Sequence, residues 1–243
     1  MPRALTDPER PARVSPEIGE LQQLARVFGH DLREQLSLLS VYNQLLRHRA
    51  SSTLGPDAER LLTLSAAAVA RTQELVADLI HFLRLAPPDG PQAPASSQQA
   101  LDEALRALAS SIQSLGACVV SEPLPAVRVS GDHVRQIFEQ LIDNALKFHG
   151  NAPPSLRVAC RRQNELAVFR VEDNGMGIEA RHVEGVFRPL ARLHGHTFPG
   201  TGMGLAVCRR ITRFYGGTTW IESVPGRSTT ACFSLPLGEL EAS

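Results

Sequence analysis

No stretch of this chain stays apolar long enough to cross a bilayer. The best candidate, Leu61 to Ala70, contains Thr63 and Ser65 and is cut off by Arg71, whereas a spanning helix needs roughly 20 apolar residues. The first residues also lack the apolar centre of a secretory signal, so a cytoplasmic chain with no membrane span is expected. Cysteine is scarce. Cys118, Cys160, Cys208 and Cys232 are scattered, with no pair at metal-ligand spacing, and they read as reduced, mostly buried thiols. An excess of charge is missing as well: 25 Lys and Arg stand against 25 Asp and Glu. Without a basic surplus to meet a phosphate backbone, nucleic acid is not an expected partner. Internal repeats are absent.

What the chain has is apolar residue in quantity, 43% of 243. That supports a real core in one large or two modest domains, since domains usually run to about 100–150 residues. Residues 1–15 carry Pro2, Pro8 and Pro11 among charges and read as a loose tail. From Glu17 to about Arg49 the leucines fall at helical spacing (Leu21, Leu24, Leu32, Leu36, Leu39, Leu46). Ser51 to Pro56 breaks the pattern, and a second helical run follows from Asp57 to about Leu85. Residues 16–86 are therefore expected to form a helical hairpin. Its apolar stripes are too wide for one partner helix, and each fully buried Leu is worth roughly 1.5–3 kcal/mol. A second copy closing a four-helix bundle, hence a homodimer, is the expectation.

Residues 87–97, rich in Pro, Gly and Ser, read as a linker. Residues 98–238 mix helices (Gln98–Leu115, Asp132–Phe148, Gly204–Tyr215) with strands (Cys118–Ser121, Ser155–Arg161, Leu166–Asp173, Thr218–Ser223, Thr230–Leu235). Strands paired with helices, without regular βαβ alternation, predict an α+β two-layer sandwich. Residues 239–243 are a tail.

Four motifs carry possible chemistry. Asp173-Asn174-Gly175-Met176-Gly177-Ile178 ends an alternating strand. Its glycines let a ligand lie against bare main chain, and its Asp can accept a hydrogen bond from an exocyclic amine such as adenine N6. Alone, the run also fits an ordinary tight turn. Gly200-Thr201-Gly202-Met203-Gly204-Leu205 opens an amphipathic helix, where backbone N–H groups face an anion. A lone glycine run before a helix is equally compatible with a structural turn. Asp143-Asn144-Ala145-Leu146-Lys147-Phe148 ends a helix. There Asn144 offers a neutral oxygen to hydrated Mg²⁺, and Lys147 shares its face and can reach phosphate. A solvated helix edge is the plainer reading. Last, His30-Asp31 in a helix flanked by Glu34 has what a nucleophile needs, a carboxylate to hold one ring proton while the other nitrogen stays free. A lone surface histidine is usually inert, so context decides.

In this order the motifs resemble the H box, N box and two glycine boxes of sensor histidine kinases, over about Leu21 to Pro236. Leu21-Gln22-Gln23-Leu24 running into His30-Asp31-Leu32-Arg33-Glu34 is similar to the H box of the bacteriophytochrome-type branch. So are Arg192-Leu193-His194, Pro199 through Cys208, and Trp220-Ile221-Glu222-Ser223. The resemblance implies an ATP-binding domain of the gyrase, chaperone, histidine kinase and MutL type behind the hairpin. It implies autophosphorylation of His30 with Asp31 as its orienting acid or base. Asn144 would hold Mg²⁺ and Lys147 would meet the phosphates. Asp173 would read adenine in a pocket shaped by Gly175 and Gly177, with Thr230 supporting the Asp. Arg192 would meet the triphosphate, while Gly200, Thr201, Gly202 and Gly204 would belong to a mobile ATP lid. The phosphoryl group would pass to a separate response-regulator receiver, for which this chain has no room. Only about two dozen residues precede the H box, too few for a folded module, so either a separate sensor protein would bring the signal or the chain would be a stand-alone transmitter.

Four positions depart from the family pattern. Gln35 stands in place of the usual H-box proline, which removes the expected helix bend. Gln140 replaces an N-box Asn, Leu190 the second aromatic of the F box that begins at Phe187, and Ser228 a late glycine. None removes a group that phosphoryl transfer requires. An ATP-hydrolysing clamp would need a glutamate where Gln140 stands, and an amide is no base. A phosphotransfer scaffold or dedicated phosphatase would have little use for intact nucleotide boxes. Glu34, four residues after the histidine where one subgroup has Thr or Asn, implies weak phosphatase activity.

Overall fold

The computed structural model describes residues 34, 36–48, 55–88, 90–193 and 198–239. His30, Asp31 and Gln35 lie outside the described residues, as do most of the two tails. The chain divides into two compact units between Arg84 and Leu85.

The first unit holds two helices, α1 (residues 36–48) and α2 (Pro56–Arg84). Pro56 suits a first helical position, where its missing N–H costs nothing. Asp57 and Glu59 in the first turn, and His81 and Arg84 in the last, complement the helix dipole. Gln73 Nε2 donates to Ser40 Oγ at 3.4 Å, tying α2 to α1. The leucines at Leu45, Leu46, Leu61 and Leu64 are all exposed. Among the described residues, no helix is long and apolar enough to cross a membrane.

The second unit starts with a short pair of strands, β1 (Ala95–Ser96) and β3 (Ala126–Val127), joined antiparallel. Between them lie α3 (Ser97–Ala107), α4 (Ala109–Ser114) and β2 (Cys118–Ser121). Then follow α5 (Gly131–Lys147), β4 (Ser155–Gln163), β5 (Leu166–Asp173), α6 (Gly204–Phe214), β6 (Thr219–Val224) and β7 (Ser228–Pro236). The main sheet has the order β2-β4-β5-β7-β6. Only β2 against β4 is parallel; β5 pairs antiparallel with β4 and β7, and β7 with β6. Helices and a mixed sheet thus make the two-layer sandwich expected from strands mixed with helices without regular βαβ alternation.

Two expectations are corrected. The residues read as linker, 87–97, do not run free to Ser97: Ala95–Ser96 pair with β3 and Ser97 opens α3. A two-residue strand leaves no periodicity to read. The helix expected over Gln98–Leu115 is two helices, because Leu108 sits at φ −97°, ψ 7° and breaks the ladder. Ser96 caps α3, its Oγ accepting the Gln99 N–H at 3.2 Å.

The core lies between the sheet and α5. Leu156 and Val158 of β4, Ala167, Phe169 and Val171 of β5, and Phe233 and Leu235 of β7 are buried on one face, two residues apart. Val134, Ile137, Phe138, Leu141 and Ile142 of α5 are buried at helical spacing. Phe138 meets Phe169 and Phe233 edge-on at 5.8 and 5.6 Å, and those two rings stack at 4.8 Å. A triad so packed cannot relax into the space one ring leaves. Phe138→Ala is expected to lower unfolding stability by about 3–5 kcal/mol, read as a shifted urea midpoint.

Cys208 and Cys232 are buried, Cys118 is exposed and Cys160 is half-buried. Burial pushes the Cys208 thiol up to about 12 and the Cys232 thiol to about 11, so both stay protonated and inert.

Candidate functional site

Strand β5 ends at Asp173, and the ladder decides what faces it. Asp173 pairs with Thr229 of β7, and Thr229 pairs with Ser223 of β6. These three residues therefore stand in one row on one face of the sheet. Asp173 Oδ1 accepts the N–H of Gly175 at 2.8 Å and of Thr229 at 3.3 Å. Oδ2 has no hydrogen bond among the described residues. Burial holds the carboxyl above the usual carboxylate range, the two N–H groups oppose this, and the charge of Glu172 adds to it. Thr230, expected to support Asp173, pairs instead with Glu172 and so belongs to the opposite face. The supporting group is the backbone N–H of Thr229, one residue earlier. Choosing between adjacent threonines requires the register, which the sequence does not print.

The loop after Asp173 is held on both sides. Met176 N–H donates to the Phe148 carbonyl at 3.0 Å, and Gly226 N–H to the Met176 carbonyl at 2.6 Å. Ile178 N–H donates to Ser223 Oγ at 2.8 Å. Gly177 has φ +68°, and a Cβ there would lie 2.2 Å from the Val224 carbonyl oxygen. Only glycine fits. Asn174 does not face the pocket: it accepts the Ser155 N–H at 2.9 Å and donates to the Pro153 carbonyl at 3.0 Å.

Helix α5 supplies the opposite wall. Asn144 and Lys147, three residues apart, share a helix face. The Asn144 side chain has no hydrogen-bond partner among the described residues. Lys147 Nζ pairs with Asp143 Oδ2 and stands beside the second glycine box, 3.7 Å from where a Gly200 Cβ would be. Gly202, at φ +77°, backs onto Ala191, whose carbonyl oxygen would be 2.5 Å from an added Cβ. Gly204 starts α6 against the Gln140 side chain. Met203 gives α6 no side-chain cap, so the first N–H groups are left for another acceptor. Thr201 is buried.

Arg192 is turned to the backbone of the segment ahead of the glycines. Its Nη2 donates to the Phe198 carbonyl at 2.6 Å, and its Nη1 to the Gly200 carbonyl. Phe198 packs on Phe148, ring centres 5.1 Å apart. Three of the four motifs read from the sequence thus converge: Asn144 and Lys147 on one wall, Asp173, Gly175 and Gly177 on another, and Arg192 with Gly200 to Gly204 bordering Lys147. Ser223, Thr229 and the Phe148–Phe198 pair were missed, since each matters through a partner distant in sequence.

These residues fit a nucleotide. A half-buried carboxylate with one spare oxygen suits an amine, and an uncapped helix start beside Lys147 suits phosphates. Among the described residues no group of His, Cys, Asp or Glu could hold a metal ion by itself. A cation at Asn144 would have to share phosphate oxygens, which is how Mg²⁺ usually binds.

Residues 130–239 match the family described as histidine kinase-, DNA gyrase B-, and HSP90-like ATPase. The chain is 34% identical over 220 residues to the phytochrome-like protein Cph1 of Synechocystis sp., covering 90% of this chain and 29% of that protein. Cyanobacterial phytochrome A of Nostoc sp. is 34% identical over 223 residues, 91% of this chain and 29% of that one. The chain therefore spans under a third of the length of these relatives. Full-length ShkA, solved with AMPPNP, matches in fold with a TM-score of 0.69 at 21% identity, over 91% of this chain and 47% of that one. Residues 130–239 thus form an ATPase domain of this family, and over 90% of its length the chain is similar to a phytochrome-like protein, the pattern of a sensor histidine kinase catalytic core of the phytochrome-type branch.

Proposed function

We propose that the chain binds ATP with Mg²⁺, phosphorylates its own His30, and passes the phosphoryl group to an aspartate of a separate response-regulator receiver. The observation that carries this reading is Asp173, a half-buried carboxylate with one oxygen held by two backbone N–H groups and the other left for a ligand. Adenine N6 is a donor of the right kind. The positive groups then fall where a triphosphate would need them. Lys147 stands beside Gly200, the start of α6 is uncapped, and Arg192 can exchange its carbonyl partners for phosphate oxygens.

Phosphoryl transfer requires mostly positioning and charge neutralisation. Mg²⁺, held by Asn144 and phosphate oxygens, would neutralise the charge of the triphosphate. One ring nitrogen of His30 would form the N–P bond as the bond from the γ-phosphorus to its bridging oxygen breaks and ADP leaves. Asp31 would hold the proton of the other ring nitrogen and fix the tautomer. Gln140, an amide where clamp ATPases need a base, favours transfer to a side chain over hydrolysis. Residues 16–86 would serve as acceptor and dimerisation unit, 87–97 as the connection and 98–238 as the ATP domain. The exposed leucines of α1 and α2 suit a second copy completing a four-helix bundle.

The test is to incubate the purified chain with γ-labelled ATP and Mg²⁺. Label that is acid-labile and base-stable, and that moves to an added receiver domain, is the expected result. Nucleotide binding without any label would replace this reading with a phosphotransfer scaffold.

A further inference from the structure

Ser223 lies on β6, outside the residues that touch a nucleotide in the reading above, yet its hydroxyl is engaged on three sides. It accepts the Ile178 N–H at 2.8 Å, donates to the Ser228 carbonyl at 2.8 Å, and stands 3.3 Å from the Thr229 hydroxyl. Ile178 closes the loop that begins at Asp173. Thr229 donates its own N–H to Asp173. One hydroxyl therefore ties the far end of the loop to the strand that holds its near end. The middle of the loop is tied by backbone, at Met176 with Phe148 and Gly226 with Met176, and its near end by the side chains of Asp173 and Asn174. Ser223 is the side chain that holds its far end.

We infer that Ser223 is a positioning residue for base recognition: through Ile178 and the β6–β7 turn it fixes the loop so that the free oxygen of Asp173 meets the base. This rests on the reading of Asp173 as the adenine-binding group. Ser223→Ala leaves the Ile178 N–H without its acceptor, and a half-buried donor left unmade is costly in a way that a loop can relieve only by moving. The row Asp173–Thr229–Ser223 lies at the end of the sheet, away from the Phe138 triad, so the effect falls on binding and not on the global fold. A threonine keeps the hydroxyl and suits a strand.

The experiment compares the wild type with Ser223→Ala, Ser223→Thr and Asp173→Asn in the full chain. Affinities for ATP and GTP are measured by competition with a fluorescent ATP analogue, alongside autophosphorylation rates and urea midpoints. Ser223→Ala is expected to raise the KM for ATP about tenfold, or about 1.4 kcal/mol. It should shrink the preference for ATP over GTP by a similar factor, with the rate at saturating ATP within about twofold, and Ser223→Thr should restore both. Equal weakening of ATP and GTP, a lowered saturating rate at unchanged KM, or no rescue by threonine would overturn the inference. Unchanged ATP affinity in Asp173→Asn would overturn the underlying reading with it. A large loss there with no change in Ser223→Ala would overturn this inference alone.

Discussion

Asp173→Asn is expected to weaken ATP binding about 100-fold or more, equivalent to about 2.7 kcal/mol, while leaving the ligand-free domain at least as stable as the wild type. The two halves of this result have separate causes. Asn keeps an oxygen at the Oδ1 position, so the Gly175 and Thr229 N–H groups retain their acceptor. The other position becomes an amide that donates, facing an adenine amine that also donates. A charge-assisted hydrogen bond, worth about 1.5–3 kcal/mol, is lost and a repulsive contact replaces it. The stability half follows from the carboxyl's position above the ordinary range, caused chiefly by burial. A group whose folded value is raised binds its proton more tightly folded than unfolded. Stability therefore falls as pH rises from the ordinary carboxylate value to the raised one, and stays lower beyond it. Asn carries no charge and escapes that cost. ATP, in contrast, needs the ionised form, so wild-type affinity should fall on acidification through the raised value. Titration calorimetry at several pH values, paired with urea unfolding of both proteins, reads all of this. Unchanged ATP affinity in the variant would remove Asp173 from the site, and a large loss of ligand-free stability would make its role structural.

How much of this was legible in the sequence depends on how far each signal reaches along the chain. Strand and helix periods mark β5, α5 and α6 to within a residue, because buried residues repeat inside each element: Phe169 and Val171, then Ile137, Phe138 and Leu141. The glycines at Gly177 and Gly202 were legible as turns. What closes on them, the carbonyls of Val224 and Ala191, was not, since each contact joins segments that nothing local relates. Thr229 against Thr230 is the sharpest case. Both are threonines in one strand, and only the pairing of β7 with β5 separates the residue that serves Asp173 from the one on the other face. The pair Ala95–Ser96 with Ala126–Val127 shows the same limit in a short strand. Its few residues carry no pattern, and Pro and Ser around them read as linker. Arg192 was legible as a cation near the glycines, but its partners in the ligand-free chain are the carbonyls of Phe198 and Gly200, so it also braces the segment it would later leave.

His30→Ala is expected to abolish acid-labile labelling while leaving ATP affinity unchanged, since every group placed around the nucleotide lies after Leu85. The chain has 8 histidines, and the rivals of His30 differ from it in their surroundings. His133 and His149 belong to the ATP domain and are already bonded through Nδ1, to Tyr215 Oη and to the Gly150 carbonyl, each at 2.7 Å. On α1, His48 has two arginines, Arg47 and Arg49, as its neighbours in sequence and no carboxylate. His81 on α2 is the real rival: it is exposed, and Asp78 lies one turn before it on the same helix face. His30 differs in having two carboxylates close in sequence, Asp31 next to it and Glu34 four residues on. A nucleophilic imidazole needs one nitrogen's proton held and the other lone pair exposed, and a carboxylate is the group that holds such a proton. Three purified variants decide the matter. His30→Ala should retain ATP binding and take up less than about 1% of the wild-type label, a loss of about 2.7 kcal/mol or more in transition-state terms. His81→Ala should label within about twofold of the wild type, and the double variant should match His30→Ala. Label lost in His81→Ala but kept in His30→Ala would move the acceptor to α2, and label surviving in all three would place it at neither residue.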